Sequence, residues 1–420
     1  MTLQPRKITL AYLRDLRTLA RMGSETSRRD FLRGALATSA MLVASRTPGL
    51  ALTAAGRSIA LKKPRPFSVE RHFAPVHVSR DRIIREVVGL RPYRDEGFVV
   101  EAQRAGNKLI IHNYGHGGAG MTLSWGTAAL AVDLLSQAGV SSAISTGRRR
   151  PAAPHFAVLG CGVSGLSTAR TLQRRFQNGP GTVTIYAREL PPDTTSNISG
   201  AHWSPTTVFD PEVASAKFNE QFHRACHISN RAFQLLAGSE YGVRWIETFQ
   251  LYRNEALVQS ELPGGNDLYP AIEIHRDPEH YFGYPYVKQF STMLIEPSIY
   301  LSALLRDFYI AGGRVVMREL HSREEIMRLP EPIIFNCTGL GARTLFNDQK
   351  LGPVRGQLEV LLPQPEIDYC YLGRGYMFPR HDGIILGGTF DHDDWSLAPR
   401  ADQAATILAA HAEIMKGLKP

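Results

Sequence analysis

The sequence predicts a protein that combines an α/β unit with an α+β unit. The first observation is an apolar strand at residues 156–159, which runs into a Gly-rich turn and is followed by a helix and a second strand at residues 182–186. That is the order of a βαβ unit. The second observation is a set of strand-like segments with turns between residues 332 and 390, which is typical of antiparallel structure. A chain of 420 residues is long enough for both units to have a core.

The other elements follow from apolar periodicity and from the position of turn residues. Alternation predicts strands at residues 82–88 and 108–112, and helical spacing predicts helices at residues 123–135, 164–176, 214–236, 299–311 and 401–415. Residues 141–154 are rich in Ser, Arg and Pro and predict a linker, as do the basic, Pro-containing residues 56–80.

Positive charge is concentrated near the start of the chain. The formal net charge is +9, but residues 1–80 hold 15 Lys and Arg against 4 Asp and Glu, and the remainder is nearly balanced. A basic face for nucleic acid is therefore not expected. The four cysteines, Cys161, Cys226, Cys337 and Cys370, form no CxxC pair, so neither a zinc site, nor any other metal site, nor a disulfide framework is predicted.

The basic leader has the layout of an export signal. The Arg28-Arg29 pair, followed by Phe31 and Leu32, precedes an apolar run at residues 35–44 and then small residues up to Ala55. Charge, a short apolar core and small residues in this order predict a signal peptide, and the run is too short to span a bilayer. The Arg pair resembles a bacterial twin-arginine signal, which predicts a periplasmic or other extracytoplasmic location. The alternative is a basic amphipathic helix with a chance Arg pair.

The Gly-rich turn predicts a nucleotide site. Gly160 permits the tight turn, Gly162 lets a pyrophosphate approach the backbone, and Gly165 allows the helix to pack on the strand. The helix N-terminus then offers free N–H groups to the phosphates. The acidic residue expected at the end of the second strand is missing. Either Glu189 binds the ribose from a shifted position or Arg188 contacts the nucleotide instead, which argues against NAD.

Several further segments point to one family. They are residues 186–196, 200–205, 336–339, 355–357, 386–389 and, most distinctively, the HNYGHGG motif and its continuation at residues 112–122. Together they resemble the D-amino-acid oxidase and D-aspartate oxidase family over residues 81–420. The resemblance implies a Rossmann-like FAD-binding domain and an antiparallel-sheet substrate domain. It also implies oxidation of D-amino acids by O2 to 2-oxo acids, ammonia and hydrogen peroxide, by hydride transfer from the α-carbon to the flavin N5.

The order of these segments differs from the order in the family, where the Gly-rich turn precedes the HNYGHGG motif. Joining residue 420 to residue 81 restores the family order. We therefore expect a circular permutation in which residues 141–154 bridge the old ends; the alternative is a gene-model artefact. The expected organisation is a signal peptide (1–55), a linker (56–80), the permuted segment (81–140), the bridge (141–154), the FAD-binding domain (155–210 and 330–350) and the substrate domain (211–329 and 351–420).

The resemblance also implies a set of substrate contacts. Arg91 would bind the α-carboxylate through a bidentate guanidinium, Tyr376 would donate a second hydrogen bond to it, and the Gly118 carbonyl would accept from the amine. The family's lid tyrosine position holds Leu372, so Tyr371, or its neighbour Tyr369, is expected to take that role.

Three further polar side chains lie in these segments or close to Tyr376 in sequence: Arg374, His116 and His202. Arg374 either favours an acidic substrate side chain or is a solvated loop residue. Hydride transfer needs no acid or base, so His116 is expected to be structural or to position the flavin, and His202 has no assigned role.

Cofactor contacts are implied for the residues that the family motifs carry. They are Gly160, Gly162, Val163, Ser164, Gly165, Arg188, Thr194, Thr195, Ser196, Gly200, Ala201, Leu320, Thr338, Gly339, Gly117, Gly118, Ala119, Gly120, Met121 and Thr122. The expected partners are a D-amino acid, O2 and the twin-arginine export machinery, with no stable membrane span.

Three functions remain in competition at this point. The first is a D-amino-acid oxidase. The second is a related glycine or amine oxidase, or a quinone-linked D-amino-acid dehydrogenase. The third is a flavin-binding protein without catalysis. The sequence leaves open the preferred substrate side chain, the electron acceptor and the oligomeric state, a homodimer included.

Overall fold

The computed structural model describes residues 65–66, 73–140, 154–176, 182–276 and 282–418. The predicted twin-arginine signal and nearly all of the predicted bridge lie outside these residues. The strands are β1 (Arg65–Pro66), β2 (Ile83–Tyr93), β3 (Val99–Ala105), β4 (Lys108–Tyr114), β5 (Phe156–Leu159), β6 (Val183–Ala187), β7 (Val243–Tyr252), β8 (Glu273–Arg276), β9 (Tyr286–Ile295), β10 (Arg314–Met317), β11 (Ile333–Asn336), β12 (Gly352–Leu361), β13 (Tyr369–Leu372), β14 (Tyr376–Arg380), β15 (Gly383–Gly387) and β16 (Asp391–His392).

Eight α-helices and several short 3₁₀ turns connect these strands in the described part of the chain. The helices are α1 (Gly120–Gln137), α2 (Val163–Phe176), α3 (Ala216–Leu235), α4 (Glu255–Val258), α5 (Pro297–Ile310), α6 (Arg323–Met327), α7 (Ala342–Leu345) and α8 (Ala401–Lys416). Two of the turns, Gly117–Ala119 and Thr195–Ile198, border the site described below. None of the described helices has the length and apolar character needed to cross a membrane.

The smaller sheet has the order β10-β6-β5-β11-β4-β3. All its pairs are parallel except β3 with β4. The inner strands β4, β5, β6 and β11 are buried along their whole length, as expected for parallel strands covered on both faces. Helices α1 and α2 cover one face. This is the predicted α/β unit, and the predicted fold class is confirmed.

The larger sheet has ten strands, in the order β1-β8-β9-β7-β13-β14-β15-β12-β16, with β2 also paired to β12. Most of its pairs are antiparallel; β1 with β8 and β7 with β13 are parallel. Helix α8 packs on one face through Ile407 and Ile414, in a core that includes Phe249, Tyr369 and Tyr371. The other face has a separate core that includes Leu358, Phe378 and Ile385, with Ile198 packed against it.

Residues 81–140 are divided between the two sheets rather than forming a unit of their own. Strand β2 pairs with β12 from Ile83 to Tyr93, and β4 pairs with β11, the strand that also pairs with β5. At the other end of the chain, the backbone N–H of Val76 donates to Met415 Sδ of α8 at 3.2 Å. The start of the described chain therefore lies against its last helix.

Two predicted boundaries need correction. Residues 56–80 were expected to be a linker, yet Phe73 and Val76 are buried in the core under α8. Their apolar side chains pack there although this stretch of the sequence is basic and contains proline. Strand β10 was assigned to the substrate domain but pairs with β6 in the smaller sheet.

Candidate active site

The Gly-rich turn has the geometry that a nucleotide needs. Gly160 has a φ of 100°, its N–H donates to the Tyr186 carbonyl at 2.8 Å, and a Cβ there would lie 2.5 Å from the Cys337 carbonyl oxygen. A Cβ at Gly165 would overlap the Gly160 carbonyl. Both positions exclude any larger residue, so the strand can turn directly into α2.

Gly162 is different, because space rather than backbone contact surrounds it. The nearest atom to a Cβ there is Ser196 Oγ at 3.1 Å, and the same hydroxyl oxygen accepts from the Val163 N–H at 3.0 Å. Ser196 belongs to the turn Thr195–Ile198. It is one of the residues that the family resemblance predicts to contact the cofactor. The start of α2 and the open side of Gly162 fit a dinucleotide pyrophosphate.

The second predicted nucleotide strand adjoins this turn. In β11 and after it, Asn336 Oδ1 accepts from the Thr338 hydroxyl at 2.7 Å and from the Thr338 N–H at 3.2 Å. Gly339 follows with a φ of 56° and no atom within 4 Å of a Cβ. The backbone of Thr338 and Gly339 is thus fixed beside the Gly-rich turn.

The HNYGHGG motif is joined to α2 by buried side chains. His116 Nε2 lies 3.1 Å from Asn113 Oδ1, and His116 Nδ1 lies 3.4 Å from the Ser164 hydroxyl. Asn113 Nδ2 in turn donates to Thr168 Oγ1 at 3.0 Å. Since the Asn113 oxygen can only accept, His116 carries its proton on Nε2. Burial lowers the pKa of His116 to about 4, so it is neutral and serves to position the motif, in line with the sequence prediction.

The glycines of this motif bring the backbone close to a neighbouring loop. The Gly118 N–H donates to the Thr207 carbonyl at 3.1 Å, and Gly118 itself is exposed. A Cβ at Gly117, which has a φ of 56°, would overlap that same carbonyl and lie 3.2 Å from the Tyr93 ring. Ala119 and Met121 are buried in the core, so their predicted flavin contacts could come only from the backbone.

One face of the larger sheet collects the predicted substrate residues. Arg91 is opposite Val354 in the β2–β12 register, and Gly356 and Leu358 follow on alternate positions of β12. Leu358 is opposite Gly387, and Gly387 is opposite Tyr376. Paired residues and alternate residues along a strand share a face. Arg91, Gly356, Gly387 and Tyr376 therefore lie on one face, which we call the Arg91 face.

The Arg91 guanidinium is held there without a full set of partners. Its Nη1 is buried and has no hydrogen-bond partner among the described residues. The guanidinium carbon lies 5.5 Å from the centre of the Phe390 ring, and the group rests against Gly356, where a Cβ would overlap it. An unsatisfied buried donor of a charged group is costly, and an incoming carboxylate would remove that cost.

Tyr376 lies on the same face of the sheet as this guanidinium. Its ring lies over Gly387, where a Cβ would overlap the ring and hydroxyl. It stacks on Phe378 with ring centres 4.9 Å apart, and Phe378 stacks on His202 at 5.0 Å. Gly200 lies against Phe378 and Tyr376, and Ile198 lies over Gly89 on β2. The cofactor-cradling segment predicted from the sequence therefore covers the Arg91 face.

The structure does not place Tyr371 in this site. Tyr371 is fully buried on the opposite face of the sheet, and its hydroxyl lies 2.5 Å from His411 Nδ1. Burial raises its pKa well above the usual range. Tyr369 shares that face and donates to the Ala74 carbonyl at 2.8 Å. The expected replacement of the lid tyrosine by either residue is wrong, because strand residues alternate in direction and Leu372 is the one that shares a face with Tyr376.

Three other predicted residues lie at the edge of the site. Arg188 is exposed and pairs with Glu189 at 3.0 Å and with Glu319 at 3.4 Å, so its guanidinium is already neutralised. Leu320 is half-buried after β10 and packs in the core near the end of β6. Arg374 is exposed in the three-residue turn between β13 and β14. Their predicted roles remain predictions.

His202, left unassigned by the sequence, is a buried member of the Arg91 face. Its Nε2 lies 2.8 Å from the Thr248 hydroxyl, and burial lowers its pKa to about 3. Neutral His202 thus connects β7 to the stacked rings. No motif marked Thr248 or Gln250, which lie two residues apart on the same face of β7.

The predicted motif around Arg355 has a structural role. Arg355 is fully buried and donates to the carbonyls of Ser396 at 3.0 Å and Ala398 at 2.6 Å. Gln357 accepts from the Arg400 N–H at 2.8 Å. These contacts hold residues 396–400 against β12, on the face opposite Arg91.

The family of FAD dependent oxidoreductases known as DAO matches residues 68–134 and 155–420 of this chain. The chain belongs to this family. It is accordingly an FAD-dependent oxidoreductase, and the tight turn into α2, the space at Gly162 and the covered Arg91 face fit the cofactor.

Relatives with named activities are similar over most of their length. A D-aspartate oxidase from Homo sapiens is 31% identical over 263 residues, which is 60% of this chain and 74% of the relative. A D-amino acid oxidase from Dugesia ryukyuensis is 28% identical over 272 residues, 63% of this chain and 79% of the relative. Among solved structures, glycine oxidase from Bacillus cereus superposes with a TM-score of 0.46 at 13% identity, over 62% of this chain and 77% of the other.

Proposed function

We propose that this DAO-family protein oxidises D-amino acids with O2 and water to 2-oxo acids, ammonia and hydrogen peroxide. The observation that carries the proposal is the buried, unpartnered Nη1 of Arg91 on the same face as Tyr376. A planar cation with a free donor beside a phenol is suited to a carboxylate. The named activities of the relatives support the same substrate class.

Each residue has a role in binding and orientation. Arg91 and Tyr376 bind the α-carboxylate, and the exposed Gly118 carbonyl accepts from the amine. FAD, when bound by the Gly-rich turn and the HNYGHGG motif, supplies the two-electron acceptor. His116 is not available as a base, since both of its ring nitrogens are engaged. Hydride transfer from the α-carbon requires the substrate amine to be neutral when it reacts.

Two other functions predict different outcomes in one experiment. Flavin-loaded protein is mixed with D- and L-amino acids and glycine, and hydrogen peroxide is measured. Peroxide from D-amino acids supports the proposal, whereas peroxide from glycine alone favours the glycine or amine oxidase alternative. Turnover with a quinone but not with O2 favours a dehydrogenase. No turnover with any acceptor, while flavin remains bound, favours the non-catalytic alternative.

We propose further that the chain is a circular permutation of the family order. Three observations support this: β4 pairs with β11 of the smaller sheet, β2 pairs with β12 of the larger one, and Val76 contacts Met415 near the other end of the chain. The family match likewise falls in two blocks separated at residues 135–154.

The permutation predicts that the ends can be moved back. A chain that starts at residue 154, joins residue 420 to residue 73 through a few Gly and Ser residues, and stops at residue 140 keeps the buried Phe73 and every strand pair except β1 with β8. The entropic cost of closing a loop changes little with loop length, so the free energy of unfolding of the rebuilt chain should differ from that of the original chain by only about 1 kcal/mol. The measurement is flavin content and thermal unfolding. A rebuilt chain that is insoluble or binds no flavin contradicts the proposal.

The location outside the cytoplasm is also a proposal, and it rests on the Arg28-Arg29 leader. The twin-arginine route exports folded proteins, which suits a protein that must bind its flavin before export. Replacing both arginines with Lys should retain the protein in the cytoplasm of a bacterial host. Unchanged fractionation of this variant would contradict the proposal.

A further inference from the structure

The Arg91 face continues beyond Tyr376 as one row of paired residues. Tyr376 is opposite Leu372, Leu372 is opposite Gln250, and Gln250 is opposite Lys288. Because paired residues share a face, the side chains of all four lie on the face that holds Arg91. Neighbouring strands are about 4.8 Å apart, so the Cα atoms of Gln250 and Tyr376 are separated by about 10 Å.

Gln250 is the unusual member of this row. The residue is 9% exposed. Its side-chain amide makes no hydrogen bond with any described residue, and both polar atoms of the amide remain accessible to solvent. Buried amides in folded proteins are nearly always hydrogen-bonded. Thr248, two residues earlier on the same face, shows the usual situation through its 2.8 Å contact with His202.

Lys288 places a positive charge on β9, the strand that pairs with β7 on the side away from Leu372. The side chain is fully buried, its Nζ donates to the Ser260 carbonyl at 2.5 Å and lies 5.7 Å from the centre of the Tyr252 ring. It forms no ion pair with a carboxylate of the described residues. Burial lowers its pKa to about 8, although Glu261 opposes that shift, so most of the Lys288 population is charged at neutral pH.

A substrate side chain that extends along the sheet away from Arg91 would follow the row of paired residues beyond Tyr376. Arg91 and the Tyr376 hydroxyl lie over Gly356 and Gly387, on the β12 side of Tyr376, and Gly118 adjoins the end of β2 through Gly117 and Tyr93. On the other side of Tyr376 the row passes half-buried Leu372 and reaches Gln250. Leu372 offers an apolar contact for methylene groups, and the Gln250 amide offers a donor beyond it.

We propose that Gln250 recognises the end of the substrate side chain and that, with the Lys288 charge behind it, it selects D-amino acids with a side-chain carboxylate. The inference rests on the proposed function and adds the substrate class. It assigns the preference to buried residues of the sheet rather than to the exposed Arg374, the candidate that the sequence suggested.

The experiment compares two substrates in the flavin-loaded enzyme. The ratio of kcat/KM for D-glutamate to kcat/KM for D-alanine is measured in the wild type and in Gln250→Leu, Gln250→Glu and Lys288→Met. We expect the ratio to fall at least tenfold in Gln250→Leu and further in Gln250→Glu, which adds a like charge, while D-alanine turnover changes less than threefold. Lys288→Met should lower the ratio in the same direction.

Gln289→Leu serves as the matched control. Gln289 is paired opposite Phe249 on the other face of the sheet, where it contacts His275 and Glu247, and its loss should leave the ratio unchanged. An unchanged ratio in Gln250→Leu overturns the inference. So does a wild type that oxidises D-alanine but neither D-glutamate nor D-aspartate. A flavin-loaded wild type inactive on every D-amino acid overturns the proposed function instead.

Discussion

Replacing Arg91 with Leu should leave the flavin bound and lower kcat/KM for D-amino acids by roughly two to four orders of magnitude. The change removes the donor pair that we propose binds the α-carboxylate, and the loss of one partner from a buried charged contact costs about 3–5 kcal/mol. Arg91 lies on the substrate side of the site, against Gly356 and Phe390. FAD content should therefore change little. The loss of turnover should be largest at substrate concentrations below KM, where kcat/KM sets the rate.

The measurement is steady-state peroxide release together with the flavin absorbance of the purified variant. Arg85→Leu is the matched control, because Arg85 is on the same strand but is exposed and pairs with Asp382 at 2.9 Å. Exposed ion pairs contribute at most about 1 kcal/mol, so its turnover should stay near that of the wild type. Normal oxidation of D-amino acids by Arg91→Leu would show that Arg91 does not bind the carboxylate.

Substitution of the two turn glycines should separate folding from cofactor binding. At Gly165 an Ala Cβ would overlap the Gly160 carbonyl, so α2 must move away from the strand. Overpacking of this kind costs roughly 1–3 kcal/mol, and both the free energy of unfolding of the apoprotein and the FAD affinity should fall. At Gly162 the nearest atom is the Ser196 hydroxyl at 3.1 Å, which belongs to a side chain that can shift.

Gly162→Ala should therefore keep the stability of the apoprotein and weaken FAD binding by about tenfold or more, equivalent to about 1.4 kcal/mol. Thermal unfolding of the apoproteins and titration with FAD measure the two effects. If Gly162→Ala binds FAD as tightly as the wild type, the pyrophosphate does not approach the backbone at this turn. If the apoproteins of Gly162→Ala and Gly165→Ala unfold at the same temperature, the geometric difference between the two glycines has no energetic consequence.

The parts of the fold that were predicted correctly are those in which local chemistry leaves few choices. A tight turn with three glycines between a buried strand and a helix has one common solution, and the structure has it at Gly160 and Gly165. The inward-facing strands were recognisable as apolar runs. The role of Tyr371 was not predictable in the same way, since residues 369–371 are buried and Leu372 is half-buried, so both faces of the strand are covered. Such a strand lacks the polar alternation that fixes which residues face the site.

Other features depend on contacts that are distant in sequence. Phe73 lies among basic, Pro-containing residues, and only its packing against Phe249 and Phe282 shows that it is part of the core. Gln250 is an ordinary glutamine in the sequence, and it becomes a candidate only when the register places it in the row of Tyr376. Arg91 was found because the motif resemblance marked it, and the structure adds the unpartnered Nη1.

The central claim is that Arg91, Tyr376 and the HNYGHGG motif form one site for a D-amino acid beside bound FAD. Anaerobic mixing of the flavin-loaded protein with D-alanine, D-glutamate and their L-enantiomers tests it most directly, because loss of the oxidised flavin absorbance does not depend on the final electron acceptor. We expect bleaching with the D-amino acids, none with the L-enantiomers, and none with the D-amino acids in Arg91→Leu. Protein whose flavin is bleached by dithionite but by no D-amino acid, or equally by both enantiomers, would contradict the claim.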